Sequence, residues 1–293
     1  MSGQDAAALR AALAPAFRQV PAAAARHLWS CDDETFARTA RPEPGWWGRQ
    51  PGGYFGAAYE AIAARFPGAD GAAEGERTRR EVEAVLRIAA AQFGDRRPRI
   101  LDVPCGGGRH ARALAARGFE VVGLDLQEGP LAMLRPLPCA VADMRRMPVA
   151  SGSFDLVLNL WNSLGYFLEE AEDLAALREF RRVLRPGGLA VVQSDLDAPA
   201  VAEGRWRQHM KVPLGDGVLF LVRQVPVAAG GLACLSWVVF PGEDPWQGPA
   251  YFLRLRDDEG WRRLAAAAGF REAGIARSAP GAVPHQAIVQ LVA

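Results

Sequence analysis

Cysteine is scarce in this chain of 293 residues: Cys31, Cys105, Cys139 and Cys234 are the whole set. Their spacings match neither a zinc pattern nor a disulfide framework, so reduced thiols and a cytoplasmic setting are expected. An excess of one charge is also missing. The 34 basic and 33 acidic residues leave a formal net charge of +1. Such a balance supplies no field for capturing duplex nucleic acid or an anionic membrane, so neither is expected as a partner. No run of about 18 uncharged apolar residues occurs, so no membrane span is expected. The opening MSGQDAAALRAALAPAF has no basic start followed by a continuous apolar stretch, so no signal peptide is expected. No internal repeat is visible.

What is present suits a folded protein. Half the residues are hydrophobic and 23% are charged, enough for a full core. Residues 1–53 have weak periodicity, and the Pro, Gly and Trp cluster RPEPGWWGRQPGG reads as a loop with exposed or lid-like aromatics. A short helix from Tyr54 to Phe66 and a flexible connector follow. From Glu76 to Phe93, Val82, Val85, Leu86 and Ala89 recur at helical spacing. From Arg99 onward, short apolar runs alternate with helical stretches, the pattern of a mostly parallel sheet. Strands are expected at 99–103, 119–125, 138–143, 154–160 and 189–194. Helices are expected near 108–117, 128–134 and 170–184. Residues 195–256 break the alternation. VLFLVRQVPV and LACLSWVVF flank Ala-Ala-Gly-Gly, a hairpin signal, and YFLRLR adds a strand, so an inserted antiparallel sheet is expected. A helix at 257–268 and strands near 270–277 and 285–292 close the chain.

The central signal is ILDVPCGGGRH, Ile100 to His110. A strand runs into glycines and then a helix, which permits a tight turn and close approach of backbone to a ligand. Gly106, Gly108 and Ala111 satisfy a permissive dinucleotide pattern, a weak signal alone. Asp102, four residues before Gly106, would repel a pyrophosphate and attract a cationic head group. Acids recur at the ends of three successive strands: Asp102, Asp125 and Asp143. In an open parallel sheet those ends face one crevice. Asp125 is placed to accept from both ribose hydroxyls, and Asp143 from an exocyclic amine. A ligand with an ammonium, a ribose diol and an adenine satisfies all three, and S-adenosylmethionine is one. The plainer readings stay open: a helix-entry turn at Gly106 to Gly108, a helix cap at Asp125, a loop cap at Asp143, and a small apolar filler at Cys105.

LDVPCGGGRH resembles motif I of class I S-adenosylmethionine-dependent methyltransferases, with Pro104 where the family usually has glycine. VVGLDL, VADMRRMPVASGSFDLVLNLWNSLGYF, VLRPGGLAVV, AAAAGF and ERTRREVEAVLRIA resemble further family segments, the last in bacterial small-molecule members. The resemblance covers about residues 76–293, apart from the middle of the insertion. It implies an α/β fold: a Rossmann-like, doubly wound, mostly parallel seven-stranded sheet with an antiparallel last strand, plus the inserted small antiparallel sheet. It implies a cap or lid at 1–75, the cofactor-binding domain at 76–195 and 256–293, and a substrate-binding lid at 196–255. It implies S-adenosyl-L-methionine as cofactor and S-adenosyl-L-homocysteine as product. Asp102, Pro104, Gly106 and Gly108 would lie against the methionine moiety, with one main-chain donor lost at Pro104. Asp125 would bind the ribose, Leu126 pack on the adenine, Asp143 and Met144 read its edge, and Asn159 contact the methionine portion or the acceptor.

The implied reaction is methyl transfer to an O or N atom of a small molecule, such as a natural-product intermediate, by a monomer or homodimer. The cofactor carries the activated carbon, so alignment and desolvation suffice and a base is optional. No Asn-Pro-Pro-Tyr or Asp-Pro-Pro-Tyr follows the fourth strand, which argues against a nucleic acid amine target. The segment there is Trp161 to Phe167, and the resemblance places it beside the reactive methyl. Trp161 and Tyr166 would form an aromatic wall, and Asn162 and Ser163 would orient the acceptor. Tyr166, Leu164 and Phe167 serve equally well as packing for the next helix. Trp46, Trp47, Tyr54, Tyr59, Trp206, Trp237 and Trp246 are further aromatic candidates. Arg254 suits an acceptor carboxylate or phosphate, and equally an ion pair with Asp257 or Asp258. His209 and His285 are the general-base candidates, Tyr166 a further catalytic one. No metal site is expected. The competing functions are non-methylating chemistry on the same cofactor, a NAD-dependent oxidoreductase, and a non-catalytic interaction module.

Overall fold

A computed structural model describes residues 3–48, 54–66, 71–194, 196–277 and 287–293. The chain forms two compact units, one of Gly75–Arg205 with Leu255–Ala293, the other of Met1–Glu74 with Trp206–Arg254.

Among the described residues of the larger unit, seven strands make one sheet: β1 (Ile100–Asp102), β2 (Val121–Asp125), β3 (Cys139–Val141), β4 (Phe154–Asn159), β5 (Leu184–Ser194), β6 (Glu272–Arg277) and β7 (Ala287–Val292). Their order is β6-β7-β5-β4-β1-β2-β3. Strands β1 to β5 run parallel, and β7 runs antiparallel to both β5 and β6. The expected Rossmann-like α/β sheet is therefore present, with β7 as its antiparallel last strand. Every residue of β1 and β4 is buried, which is why those strands read as continuous apolar runs without alternation. The helices are α1 (Gly71–Phe93), α2 (Arg109–Ala115), α3 (Glu128–Leu131), α4 (Glu170–Val183), α5 (Ala198–Ala202) and α6 (Asp258–Ala268).

Local chemistry explains the boundaries. Val82, Val85 and Ala89 of α1 share a core cluster with Ile100, Leu156 and Leu189, as their helical spacing requires. Glu169 and Glu172 form a reciprocal capping box that starts α4. Strand β5 begins five residues earlier than its apolar run. Leu184 pairs with Phe154, and the register slips before Leu156 meets Leu189, so Pro186 and its glycines sit in an irregular stretch that pairing spans. Strand β3 is shorter than expected, which leaves Asp143 in the turn beyond it.

The second unit holds the inserted sheet. Strands His209–Gly215, Val218–Val227 and Gly231–Val239 form an antiparallel meander. Tyr251–Arg254 pairs with Gly231–Val239. Trp246–Gln247 pairs on one side with that same strand and on the other with Arg18–Gln19 from the start of the chain. Ala25, Phe36 and Ala40 pack on Val225, Ala233, Leu235 and Trp237. The N-terminal segment and the insertion thus share one core. Trp46 was expected in an exposed or lid-like loop, yet it is 3% exposed. Its ring lies 5.9 Å from that of Tyr54 and 5.6 Å from that of Tyr251, so aromatic packing overrides the loop pattern. Among the described residues, no helix is long and apolar enough to cross a membrane.

Candidate active site

After β1 the chain moves to β2 and then β3 on one side, and crosses to β4 on the other side of β1. That reversal opens a crevice at the carboxyl ends of β1 and β4, where open α/β sheets bind ligands. Asp102 ends β1, Asp125 ends β2 and Asn159 ends β4. In register, Asp102 is level with Gly123 and Leu158, so the row is set by strand pairing.

Asp102 is 1% exposed, and its Oδ2 has no hydrogen-bond partner. Burial drives its pKa up to about 7, with the Asp125 charge adding to the rise. The Arg109 guanidinium and the Ala111 N–H at the start of α2 oppose it. Asp125 is also buried, and that raises its pKa, against donors that favour the ion. The Gly106 N–H donates to its Oδ2 and the Gln127 N–H to its Oδ1, each at 2.8 Å. With the Leu126 N–H as a further donor, these bonds fix the carboxylate plane.

Gly106 has φ +50° and a Cβ added there would meet nothing within 4 Å, so its backbone borders open space. Gly108 caps α2 at φ +75°, and a Cβ there would overlap Leu134 Cδ1. The second glycine is thus demanded by packing and conformation. Pro104 lies between Asp102 and these glycines, joined to Val103 by a cis peptide. Cys105 is buried, and burial with the neighbouring Asp102 and Asp125 charges pushes its pKa up, so it stays a thiol and fills space. Asn159 is fully buried. Its Nδ2 donates to the Val103 carbonyl at 2.8 Å and reaches Met144 Sδ at 3.7 Å, while its Oδ1 has no partner. The structure therefore brings Asp102, Asp125, Asn159 and Met144 around the glycine turn. Leu126 and Met144 are half-buried. Asp143 is already engaged: burial raises its pKa, but the Arg145 guanidinium and N–H hold it below the usual range. An amine would share that carboxylate with Arg145.

The segment after β4 has an unusual backbone. Trp161 and Asn162 have φ 65° and 59°, left-handed values that cost a non-glycine residue of order 1–3 kcal/mol. The Trp161 ring is held between the guanidinium carbons of Arg77 and Arg109, 4.7 and 5.0 Å from its centre. Arg109 also bonds Glu81 and Thr78, and His110 Nε2 lies 2.9 Å from Glu81 Oε2. Sequence reasoning missed this cluster of Arg77, Thr78, Glu81, Arg109 and His110. The available signal was the spacing of 77, 78 and 81, which puts all three on one face of α1. Ser163 Oγ donates to the Leu160 carbonyl at 3.2 Å, and Tyr166 is half-buried.

The remaining candidates lie in the second unit. His209 is on an exposed strand, its Nε2 2.9 Å from the Trp29 carbonyl, so Nε2 carries the proton and Nδ1 is the basic atom. Tyr54 is 4% exposed among aromatic rings, and burial raises its pKa. Arg254 donates to the Ala229 carbonyl at 3.4 Å and lies over Phe252. Asp257 caps α6 through the Gly260 N–H, and Asp258 pairs with Arg262 and Arg277. His285 lies outside the described residues.

Residues 100–188 match the family model described as a methyltransferase domain. The chain is 36% identical over 140 residues to the malonyl-[acyl-carrier protein] O-methyltransferase of Enterobacter lignolyticus, covering 45% of this chain and 52% of that protein. It spans about half or less of the length of the first curated relatives it matches. Among solved structures it resembles the CcbJ methyltransferase of Streptomyces caelestis, with TM-score 0.59, 23% identity, and coverage of 72% of this chain and 89% of that one. It also resembles SAM-bound CalS10, an amino pentose methyltransferase from Micromonospora echinaspora, with TM-score 0.59, 23% identity, and coverage of 78% and 98%. At such identities the structural likeness establishes the fold.

Proposed function

We propose, from the match of residues 100–188 to a methyltransferase domain, that the protein is an S-adenosylmethionine-dependent methyltransferase acting on an O or N atom of a small molecule. The observation that carries this reading is the buried, unpartnered Asp102 Oδ2 beside Gly106 at the reversal point of the sheet. A buried carboxylate oxygen without a donor is costly, and a ligand ammonium relieves it. The donor set fits the cofactor. Asp102 would accept from the ammonium, with Asn159 Oδ1 as a second acceptor at the methionine end, where Pro104 and the Gly106 to Gly108 backbone lie. Asp125 would accept from the ribose hydroxyls. Leu126 would cover the adenine, and Asp143 and Met144 would meet its edge. When bound, the cofactor supplies the activated methyl carbon.

The chain's own residues orient the acceptor and exclude water. Trp161, Ser163 and Tyr166 line the acceptor side in this reading. If the nucleophile is protonated, the Tyr166 hydroxyl accepts its proton while passing its own to bulk water. The acceptor is a small molecule of the natural-product type, with neither nucleic acid nor membrane as partner. The enzyme is bacterial and cytoplasmic, and works as a monomer or homodimer. Thermal melting with S-adenosylhomocysteine, compared with NADH, tests the reading. Stabilisation by the former alone is expected; stabilisation by NADH alone, or by neither, overturns it.

A further inference from the structure

We infer that Asp173 and Arg256 are positioning residues for the loop at 161–167, an inference that rests on the proposal that this loop faces the transferred methyl. Asp173, on the first turns of α4, is fully buried, and Arg256 is 5% exposed. Asp173 Oδ2 accepts from Arg256 Nη2 at 2.5 Å, and Oδ1 accepts from the Gly165 N–H at 3.0 Å. The carboxylate therefore clamps the loop backbone on one side and a guanidinium on the other.

The pair is a poor device for stability alone. Arg256 Nε and Nη1 are buried without partners, and the guanidinium otherwise rests on the Trp261 ring at 5.1 Å. Burying two charges costs several kcal/mol per ion, and replacement by apolar residues of similar size is often neutral or stabilising. What an apolar pair cannot supply is an acceptor for Gly165. The loop needs outside anchors, because Trp161 and Asn162 are both left-handed and local preference would relax them. Its anchors at 161–165 include the Arg77 and Arg109 guanidiniums on Trp161, the Asn162 N–H to the Gln193 carbonyl at 3.2 Å, and Asp173 on Gly165. Of these, the Asp173 bond is charge-assisted and buried, and so the strongest. Arg256 orients Asp173 through the contact to its Oδ2. It follows directly on the return of the chain from the insertion, and its carbonyl accepts from the Ala198 N–H at 3.2 Å. The point of return is thereby tied to the loop through one side chain.

The test uses the full chain labelled with 5-fluorotryptophan, the Trp161 signal being assigned by Trp161→Phe. Spectra and Gly165 amide exchange are compared for the native protein, Asp173→Asn, Arg256→Lys and the double variant Asp173→Leu/Arg256→Met. Asp173→Asn and the double variant should shift the Trp161 signal by more than a linewidth. In the double variant Gly165 should exchange at least about tenfold faster. Arg256→Lys should keep the native signal. S-adenosylhomocysteine should still raise the melting temperature of each variant. An unmoved Trp161 signal and unchanged Gly165 exchange in the folded double variant would overturn the inference. So would failure of that variant to fold, since the pair would then be a stability element. If the native protein itself ignores S-adenosylhomocysteine, the proposed cofactor reading fails, and the loop comparison is still read.

Discussion

Replacing Asp102 by Asn should move stability and cofactor binding in opposite directions. The unfolded chain ionises this carboxyl near pH 4, whereas the native site holds its proton up to about 7. The native pKa is raised, so the contribution to stability is complete below pH 4 and is lost as pH climbs through 7. About three pH units at about 1.4 kcal/mol each give a cost of about 4 kcal/mol at pH 8 in the empty protein. An amide removes that charge, though its own unpaired NH2 cancels part of the gain. A net stabilisation of about 2 kcal/mol remains, a rise of about 4–8 °C in melting temperature. The same substitution replaces a charged acceptor for an ammonium with a neutral amide oxygen, which weakens binding by about 1.5–3 kcal/mol. Melting and calorimetry at pH 8, with and without S-adenosylhomocysteine, read both quantities. The native protein should bind more tightly as pH rises towards 7, by up to about tenfold per unit, and then level off. The variant should show no such slope. A variant that melts lower than the native protein and binds with unchanged affinity would refute the reasoning.

Asp125→Ala should weaken S-adenosylhomocysteine binding by about 1–3 kcal/mol, read by calorimetry, since ribose hydroxyls and the Gly106 and Gln127 N–H groups lose their acceptor. Gly108→Ala should destabilise the larger unit by about 1–3 kcal/mol in urea titration, because its φ is +75° and Leu134 occupies the Cβ position. Glu169→Ala should cost about 1 kcal/mol by dissolving the capping box of α4. Deletion of 204–246 should leave residues 22–40 open to limited proteolysis, since Ala25, Phe36 and Ala40 lose the strands they pack on; protected residues would contradict the shared core.

The larger unit was legible because each of its elements announces itself locally. Buried strands read as apolar runs, and Val82, Val85 and Ala89 mark one helix face. Part of the carboxylate row was legible for the same reason: strand ends fix where Asp102 and Asp125 lie, whereas Asp143 falls in the turn beyond its shortened strand. What stayed hidden depended on distant partners. Arg18–Gln19 is a two-residue strand whose partner, Trp246–Gln247, lies far along the chain, so no periodicity can reveal it. The three helices of residues 3–39 are short, the first two alanine-rich, and tertiary packing decides them. The capture of Asp143 by Arg145 and the left-handed backbone of Trp161 and Asn162 depend on side-chain geometry, not residue type.

The shared core of the second unit also sets an order of assembly. Phe36 emerges during synthesis long before Trp237, its partner in that core. About 200 residues separate the two, so the wait is roughly 10–40 s at ordinary translation rates. Throughout that interval the early helices have no sheet to cover them, while the larger sheet can begin to collapse. The segment that carries Phe36 is thus made well before the strands that cover it, and it matures only after they do.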